Sequence, residues 1–243
     1  MIISKTPFRI SLFGGGTDYP SWYRQNGGRV LAAAIDKYCY ISCRHLPPFF
    51  DHKHRIVYSK VESVKTIEEI QHPSVRAVLS TLGMSAGLEI HHDGDLPARS
   101  GIGSSSSFTV GLINVVNALK GQQTSKEDLA KQAIYIEQEV LKESVGSQDQ
   151  ILAAFGGFNR IDFNPDDSFN IAPVIINKDL MSQLQDHMLI FFTGLSRFSS
   201  DIAKDKINNF TNRFRELTQI KEIVDEAMSI LQNPSVPIEK VIG

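Results

Sequence analysis

The sequence predicts an α+β fold in two domains, residues 1–175 and 176–243. Three observations lead there. Strand-like segments crowd the first third, helical periodicity takes over from Ser104 to about Glu143, and the turn-rich stretch GGFNRIDFNPDDSFN separates these from further strands and a long last helix. Strands followed by helices, without regular alternation of single units, indicate α+β. A chain of 243 residues is long enough for one large domain or two modest ones packed together.

The strands are expected at Ile10 to Phe13, Val30 to Ile35, Tyr38 to Cys43, Arg55 to Ser59 and Leu88 to His92, each bounded by turn formers. From Ser104 to Leu119 nearly every residue beyond the serines is apolar or small, which suits a helix buried on most sides. A second helix should start after Thr124 and Ser125, where Glu127 and Asp128 each complete a capping-box spacing, and run to about Glu143. Beyond the boundary, IAPVII and HMLIFFT read as strands. Phe210, Phe214, Leu217, Ile220, Val224, Ala227 and Leu231 then keep helical spacing.

Composition narrows the function classes. Hydrophobic residues make up 42% and charged residues 21%, ordinary globular usage, so the chain should fold. A formal charge of -2 offers no chain-wide attraction to nucleic acid or anionic lipid, and any anionic ligand must be held by a local site. No apolar run is long enough to span a bilayer, and MIISKTPFRIS lacks the apolar core of a signal peptide, so a cytoplasmic protein without membrane or nucleic-acid partners is expected. Cys39 and Cys43 alternate on one face of a strand and read as free thiols. The scattered histidines have no cysteine or acidic partners at ligand-like spacing.

Three stretches carry chemistry. In LPARSGIGSSSSF, Leu96 to Phe108, glycines let the backbone approach a ligand, while the serines supply hydroxyls at the start of an apolar helix whose open amides and dipole favour a phosphate. A serine-glycine linker with a helix cap is the plain alternative. The chain has no GxxxxGK[ST], and GIGSSS puts serine where a dinucleotide fingerprint needs its third glycine. In PFRISLFGGGTDYP, Pro7 to Pro20, a strand enters a glycine-rich turn that delivers Asp18 and Tyr19, suited to accept sugar hydroxyls. In YIEQEVLKESVGSQDQ, Tyr135 to Gln150, a helix and a glycine turn lead to Asp149. Glu137, Glu139 and Glu143 could equally form a solvated face, and Asp149 a helix cap.

Together these stretches resemble the GHMP kinases, the superfamily of galactokinase, homoserine kinase, mevalonate kinase and phosphomevalonate kinase. Pro97, Gly101, Ile102, Gly103, Ser104 and Ser105 are similar to its P-x3-G-L-G-S-S signature. Pro7, Arg9, Leu12, Gly14, Thr17, Asp18 and Tyr19 match the sugar-binding P-G-R-V-N-L-I-G-E-H-T-D-Y of galactokinase-like members. Gly15 and Gly16 depart from it, and GGGTDYP looks instead like the branch acting on D-glycero-D-manno-heptose 7-phosphate. Gly146, Asp149 and Gln150 resemble the G-I-M-D-Q segment that holds a catalytic Asp.

The resemblance implies a ribosomal protein S5 domain 2-like N-terminal domain and a ferredoxin-like C-terminal domain, the latter partial, because members end in a glycine-rich third motif and this chain ends at VIG. It implies transfer of the ATP γ-phosphate to the anomeric hydroxyl of a small sugar, with ATP and Mg2+ as cofactors, and low activity for the chain as it stands. Fucokinase-like, galactokinase-like and mevalonate-type kinases, or an inactive sugar and nucleotide sensor, share the motifs. In this scheme Asp149 is the base and Arg9 orients it. Gly14, Gly15, Gly16, Thr17, Asp18, Tyr19 and Arg197 bind the sugar. Pro97, Arg99, Ser100, Gly101, Ile102, Gly103, Ser104, Ser105 and Ser106 hold ATP, while Ser105 and Glu137 hold the metal, with Glu139 as alternate.

Overall fold

The computed structural model describes residues 1–98, 100–191 and 213–233. In chain order it contains β1 (Ile2–Phe13), α1 (Pro20–Asn26), β2 (Gly28–His45), β3 (His54–Val57), β4 (Val61–Val64), α2 (Pro73–Thr81), β5 (Leu88–Gly94), α3 (Ser104–Leu119), α4 (Lys126–Tyr135) and a π-turn (Ile136–Val140). Then follow α5 (Gln148–Phe155), β6 (Phe158–Phe163), β7 (Phe169–Pro173), α6 (Lys178–Asp186) and α7 (Phe214–Leu231).

All seven strands form one mixed sheet, antiparallel at every pairing except β3 with β5. The two strands expected at Val30 to Ile35 and Tyr38 to Cys43 are one long strand, β2. One edge of it carries β1; the other carries β6 at Gly28–Ala33 and β5 at Cys39–His45. The expected break is a bulge: Pro7 pairs with Tyr38 but Arg9 with Ala34, so β2 carries extra residues there and stays continuous. At this bulge the Arg9 N–H donates to the Ile102 carbonyl at 3.1 Å, which ties β1 to the glycine-serine loop.

The helix α3 spans Ser104–Leu119 as predicted. It is buried on most sides because it packs between β1, β2 and neighbouring helices, in a cluster with Ile41, Ile56, Leu88 and Ile90. Cys39 and Cys43 lie in the same cluster as free thiols, and burial pushes both up to about 12. Of the two candidate caps before α4, Ser125 serves, accepting from the Asp128 N–H at 3.0 Å. Thr124 instead accepts from the Asn117 amide.

The opposite face of the sheet is covered by α6 and α7, whose Leu184, Val224, Ala227, Met228 and Leu231 pack on Leu31 and Val174. Two predicted strands differ. IAPVII contributes only its first part to β7, and Met188–Phe191 of HMLIFFT lie outside any strand, while the unpredicted α6 precedes them, capped by the Asn177 side chain. The α-helix after Ser125 stops at Tyr135, where the chain widens into the π-turn. Phe210 of the last predicted helix is outside the described residues.

Candidate active site

The glycine-serine loop meets the N-terminus of α3. Gly103 occupies the N-cap position at φ 73° with no side-chain cap, at the head of a 16-residue helix whose N-terminal dipole favours an anion. The loop is braced from behind. The Ser107 hydroxyl donates to the Pro7 carbonyl at 2.7 Å, the Ser100 hydroxyl donates to the Pro97 carbonyl at 2.7 Å, and Ile102 is buried.

The bulge of β2 opposite Pro7–Arg9 lets Arg9 reach under this loop. Its Nε and Nη2 donate to Oδ1 and Oδ2 of Asp149, both at 2.6 Å, and its Nη1 donates to the Gly101 carbonyl at 2.8 Å. Asp149 lies in the first turn of α5, where Ser147 holds the N-cap position, so its carboxylate is turned to Arg9 and not to its own helix amides. A Cβ built on Gly103 would stand 3.2 Å from Asp149 Oδ2 and 3.2 Å from Arg9 Cγ. The loop, the arginine and the aspartate are therefore in mutual contact.

The second motif folds into the β1–α1 turn. Thr17 is its clasp: the hydroxyl donates toward the Gly14 and Arg29 carbonyls, both at 2.8 Å, and accepts from the Arg29 N–H at 3.0 Å. Asp18 is 1% exposed; its carboxylate accepts from the Gly16 N–H at 2.9 Å and the Gln148 N–H at 3.4 Å, and its carbonyl accepts from the Ser147 N–H. Burial pushes the Asp18 carboxyl up, Asp149 adds to this, and the backbone donors oppose it. Burial also pushes the Tyr19 phenol up, with Asp18 and Asp149 adding, which keeps it a neutral donor. Gly146 is a close-approach glycine, since a Cβ there would fall 1.9 Å from Asp18 Oδ2.

Glu137 is buried beneath the loop. The π-turn that carries it closes with the Leu141 N–H donating to the Ile136 carbonyl, and one-turn π-segments of this kind recur at functional sites. Its Oε2 accepts from the Ser106 hydroxyl at 2.8 Å and from the Gln150 amide nitrogen. Burial pushes its carboxyl up to about 7, against those hydrogen bonds. Two oxygens here, Glu137 Oε1 and Gln150 Oε1, are buried without a hydrogen-bond partner. An all-oxygen donor set of this kind fits a hard divalent cation such as Mg2+. No group of three or more His, Cys, Asp or Glu side chains suited to a metal gathers among the described residues.

The structure brings together Arg9, Gly14, Gly15, Gly16, Thr17, Asp18, Tyr19, the loop from Pro97 to Ser106 with Arg99 excepted, Glu137 and Asp149. Arg99 and Arg197 lie outside the described residues. Ser106, one residue beyond the expected Ser105, is the serine that meets Glu137; Ser105 is exposed on the first turn of α3. Glu139 points away and pairs with Lys142 at 2.9 Å on the surface. Sequence reasoning missed three roles: Ser106 and Gln150 as partners of Glu137, Gly146 as the seat of Asp18, and Arg29 as the backbone anchor of Thr17. Gln150 stood beside Asp149 in a quoted motif; nothing local marked Arg29.

Residues 66–157 match the model of the GHMP kinases N-terminal domain. Across 84% of its length the chain is 30% identical to a D-glycero-alpha-D-manno-heptose 7-phosphate kinase of Campylobacter jejuni, and across 96% it is 27% identical to a galactokinase of Pyrococcus furiosus. It spans 63% and 61% of those relatives' lengths, under two thirds of each. A solved D-glycero-D-manno-heptose 1-phosphate kinase from Bacteroides thetaiotaomicron superposes with a TM-score of 0.72, covering 95% of this chain and 77% of that one at 22% identity. A phosphomevalonate kinase of Streptococcus pneumoniae superposes at 0.74 with 16% identity, over 100% of this chain and 77% of that one. At such identities these neighbours speak for the fold alone: the chain has the fold seen in these GHMP-type kinases, and its residues 66–157 match the GHMP kinases N-terminal domain.

Proposed function

We propose that this chain is the catalytic part of an ATP-dependent sugar 1-kinase whose substrate is D-glycero-D-manno-heptose 7-phosphate and whose product is the 1,7-bisphosphate. The observation that carries the reading is the placement of the Asp149 carboxylate, held at two points by Arg9, against Gly103 at the N-terminus of α3. A phosphate held there and a hydroxyl beside Asp149 would be neighbours, which is what phosphoryl transfer needs from a protein. The likeness to the Campylobacter jejuni enzyme supports the choice of sugar, as do Gly15 and Gly16 in the turn.

In this mechanism the loop amides and serines hold the ATP phosphates. Asp18 and Tyr19 meet the sugar ring. Asp149 takes the proton of the anomeric hydroxyl while that oxygen forms its bond to the γ-phosphorus, and the bond to the ADP oxygen breaks. Arg9 keeps Asp149 aimed, and its link to the Gly101 carbonyl sets base and phosphate loop in one frame. Glu137, with Ser105 or Ser106, would hold Mg2+, which supplies charge neutralisation for the transferring phosphate. Residues 1–175 form the domain with these motifs, residues 176–243 belong to a second domain, and the enzyme works in the cytoplasm on small molecules.

An ADP-release assay over heptose 7-phosphate, galactose, fucose, mannose and mevalonate tests the reading. Turnover with heptose 7-phosphate at least about a hundredfold above the others in kcat/KM supports it, a discrimination of roughly 3 kcal/mol. Preference for galactose or fucose would move the assignment to the branches of the Pyrococcus furiosus galactokinase or the Arabidopsis thaliana bifunctional fucokinase/GDP-fucose pyrophosphorylase. Binding of nucleotide without any turnover would favour a sensor.

A further inference from the structure

The helix α7 lies on the far face of the sheet from the phosphate loop, yet it reaches the β1–α1 turn by two routes. Directly, the Leu217 side chain faces Gly16: a Cβ on that glycine would stand 3.4 Å from Leu217 Cδ2. Indirectly, the path runs through Arg29. The backbone N–H and carbonyl of this residue clasp the Thr17 hydroxyl, while its guanidinium pairs with Asp162 on β6 and, through Nη1 at 2.6 Å, with Asp225 on α7. One residue thus fastens the turn by its main chain and α7 by its side chain.

We infer that α7 is a positioning element for the β1–α1 turn, acting through Leu217 on Gly16 and through the Asp225–Arg29 pair on Thr17, so that the seating of α7 sets affinity for the sugar and leaves nucleotide affinity alone. This rests on the sugar-binding role proposed for the turn. The selectivity follows from connectivity. The turn hangs from the start of β2, where α7 makes its ion pair, whereas the phosphate loop is braced by Pro7 and Arg9 on the middle of β1. Asp225 is 53% exposed, so losing its charge leaves the fold standing and any change at the turn is local. Arg29 and Asp162 are more buried, and Arg160 also binds Asp162 at 2.9 Å, which keeps β6 in place when α7 is released.

The test uses the whole chain in two variants, Asp225→Asn and Leu217→Ala, with Asp225→Glu as the conservative control. Amide exchange at Gly16, Thr17 and Asp18 should quicken by about tenfold or more in both variants, with Ser104 to Ser107 unchanged, because only the local opening of the turn is eased. By calorimetry, heptose 7-phosphate should bind at least about fivefold more weakly and MgATP within about twofold of the parent, and Asp225→Glu should restore both readouts. Unchanged exchange at the turn in a folded variant, or equal quickening at the phosphate loop, overturns the inference. If the parent chain binds no sugar phosphate, the proposed substrate fails, and the exchange measurement still decides the coupling by itself.

Discussion

Arg9 and Asp149, 140 residues apart in sequence, meet in a two-point ion pair with both contacts at 2.6 Å. Side-chain exposures of 15% and 23% make this a partly buried, directional pair, unlike a surface salt bridge. The geometry also answers a question the sequence left open, since an aspartate whose two oxygens face a guanidinium is not spending them on its own helix amides.

The first prediction follows from that. Asp149→Asn should lower kcat by at least about two orders of magnitude while sugar and ATP affinities change little, because general-base help is typically worth about a hundred- to ten-thousandfold. Steady-state kinetics with calorimetry on the same preparation separates the two quantities. Retention of more than about a tenth of parental kcat would return Asp149 to a structural role.

Gly103→Val should abolish ATP binding. The substitution forces a β-branched residue to φ 73° and drives its Cβ to 3.2 Å from both Arg9 and Asp149, so loop and ion pair are disturbed together. Calorimetric titration of a folded variant with MgATP checks this, and an affinity equal to the parent's would remove the loop from the nucleotide site.

Gly146→Ala should act on the sugar side. The added methyl would sit 1.9 Å from Asp18 Oδ2, a position no relaxed side chain tolerates, so Asp18 must leave its seat against the Gln148 amide. The expected result is a sugar affinity weaker by about tenfold or more, roughly 1.4 kcal/mol, with MgATP affinity kept. Equal losses for both ligands would mean that the whole site, and not Asp18, had moved.

Stability should depend on pH through Glu137. Its folded pKa, about 7, lies above the ordinary 4.5, so between these values the native state holds more protons than the unfolded chain. Native stability from this group is therefore undiminished below about pH 4.5, falls as pH rises toward 7, and is level beyond, a total of about 3 kcal/mol. Denaturant melts without divalent cations should show Glu137→Gln gaining on the parent across that window. A constant difference between pH 4.5 and 7.5 would place the carboxyl in an ordinary environment.

The α+β class, the boundaries of α3, a cap at Thr124 or Ser125 and the free state of Cys39 and Cys43 were legible in the sequence, because each depends on neighbours within a few residues: apolar periodicity, cap chemistry, strand alternation. The three motifs were legible for a related reason. Glycines that admit a ligand and serines at a helix start leave a local composition that stands out. What the tertiary structure decided were the long-range meetings. Whether Asp149 caps a helix or faces Arg9, whether Ser105 or Ser106 meets Glu137, and why Gly146 must lack a side chain all depend on contacts across 13 to 140 residues of chain. The continuity of β2 through Asp36 and Lys37 likewise comes from a bulge against β1, and the link from α7 to the β1–α1 turn passes through Arg29, a residue whose surroundings in sequence carry no sign of it. Local patterns encode what each segment can be; the packing of segments determines which side chains share a volume, and chemistry at a site is a property of that shared volume.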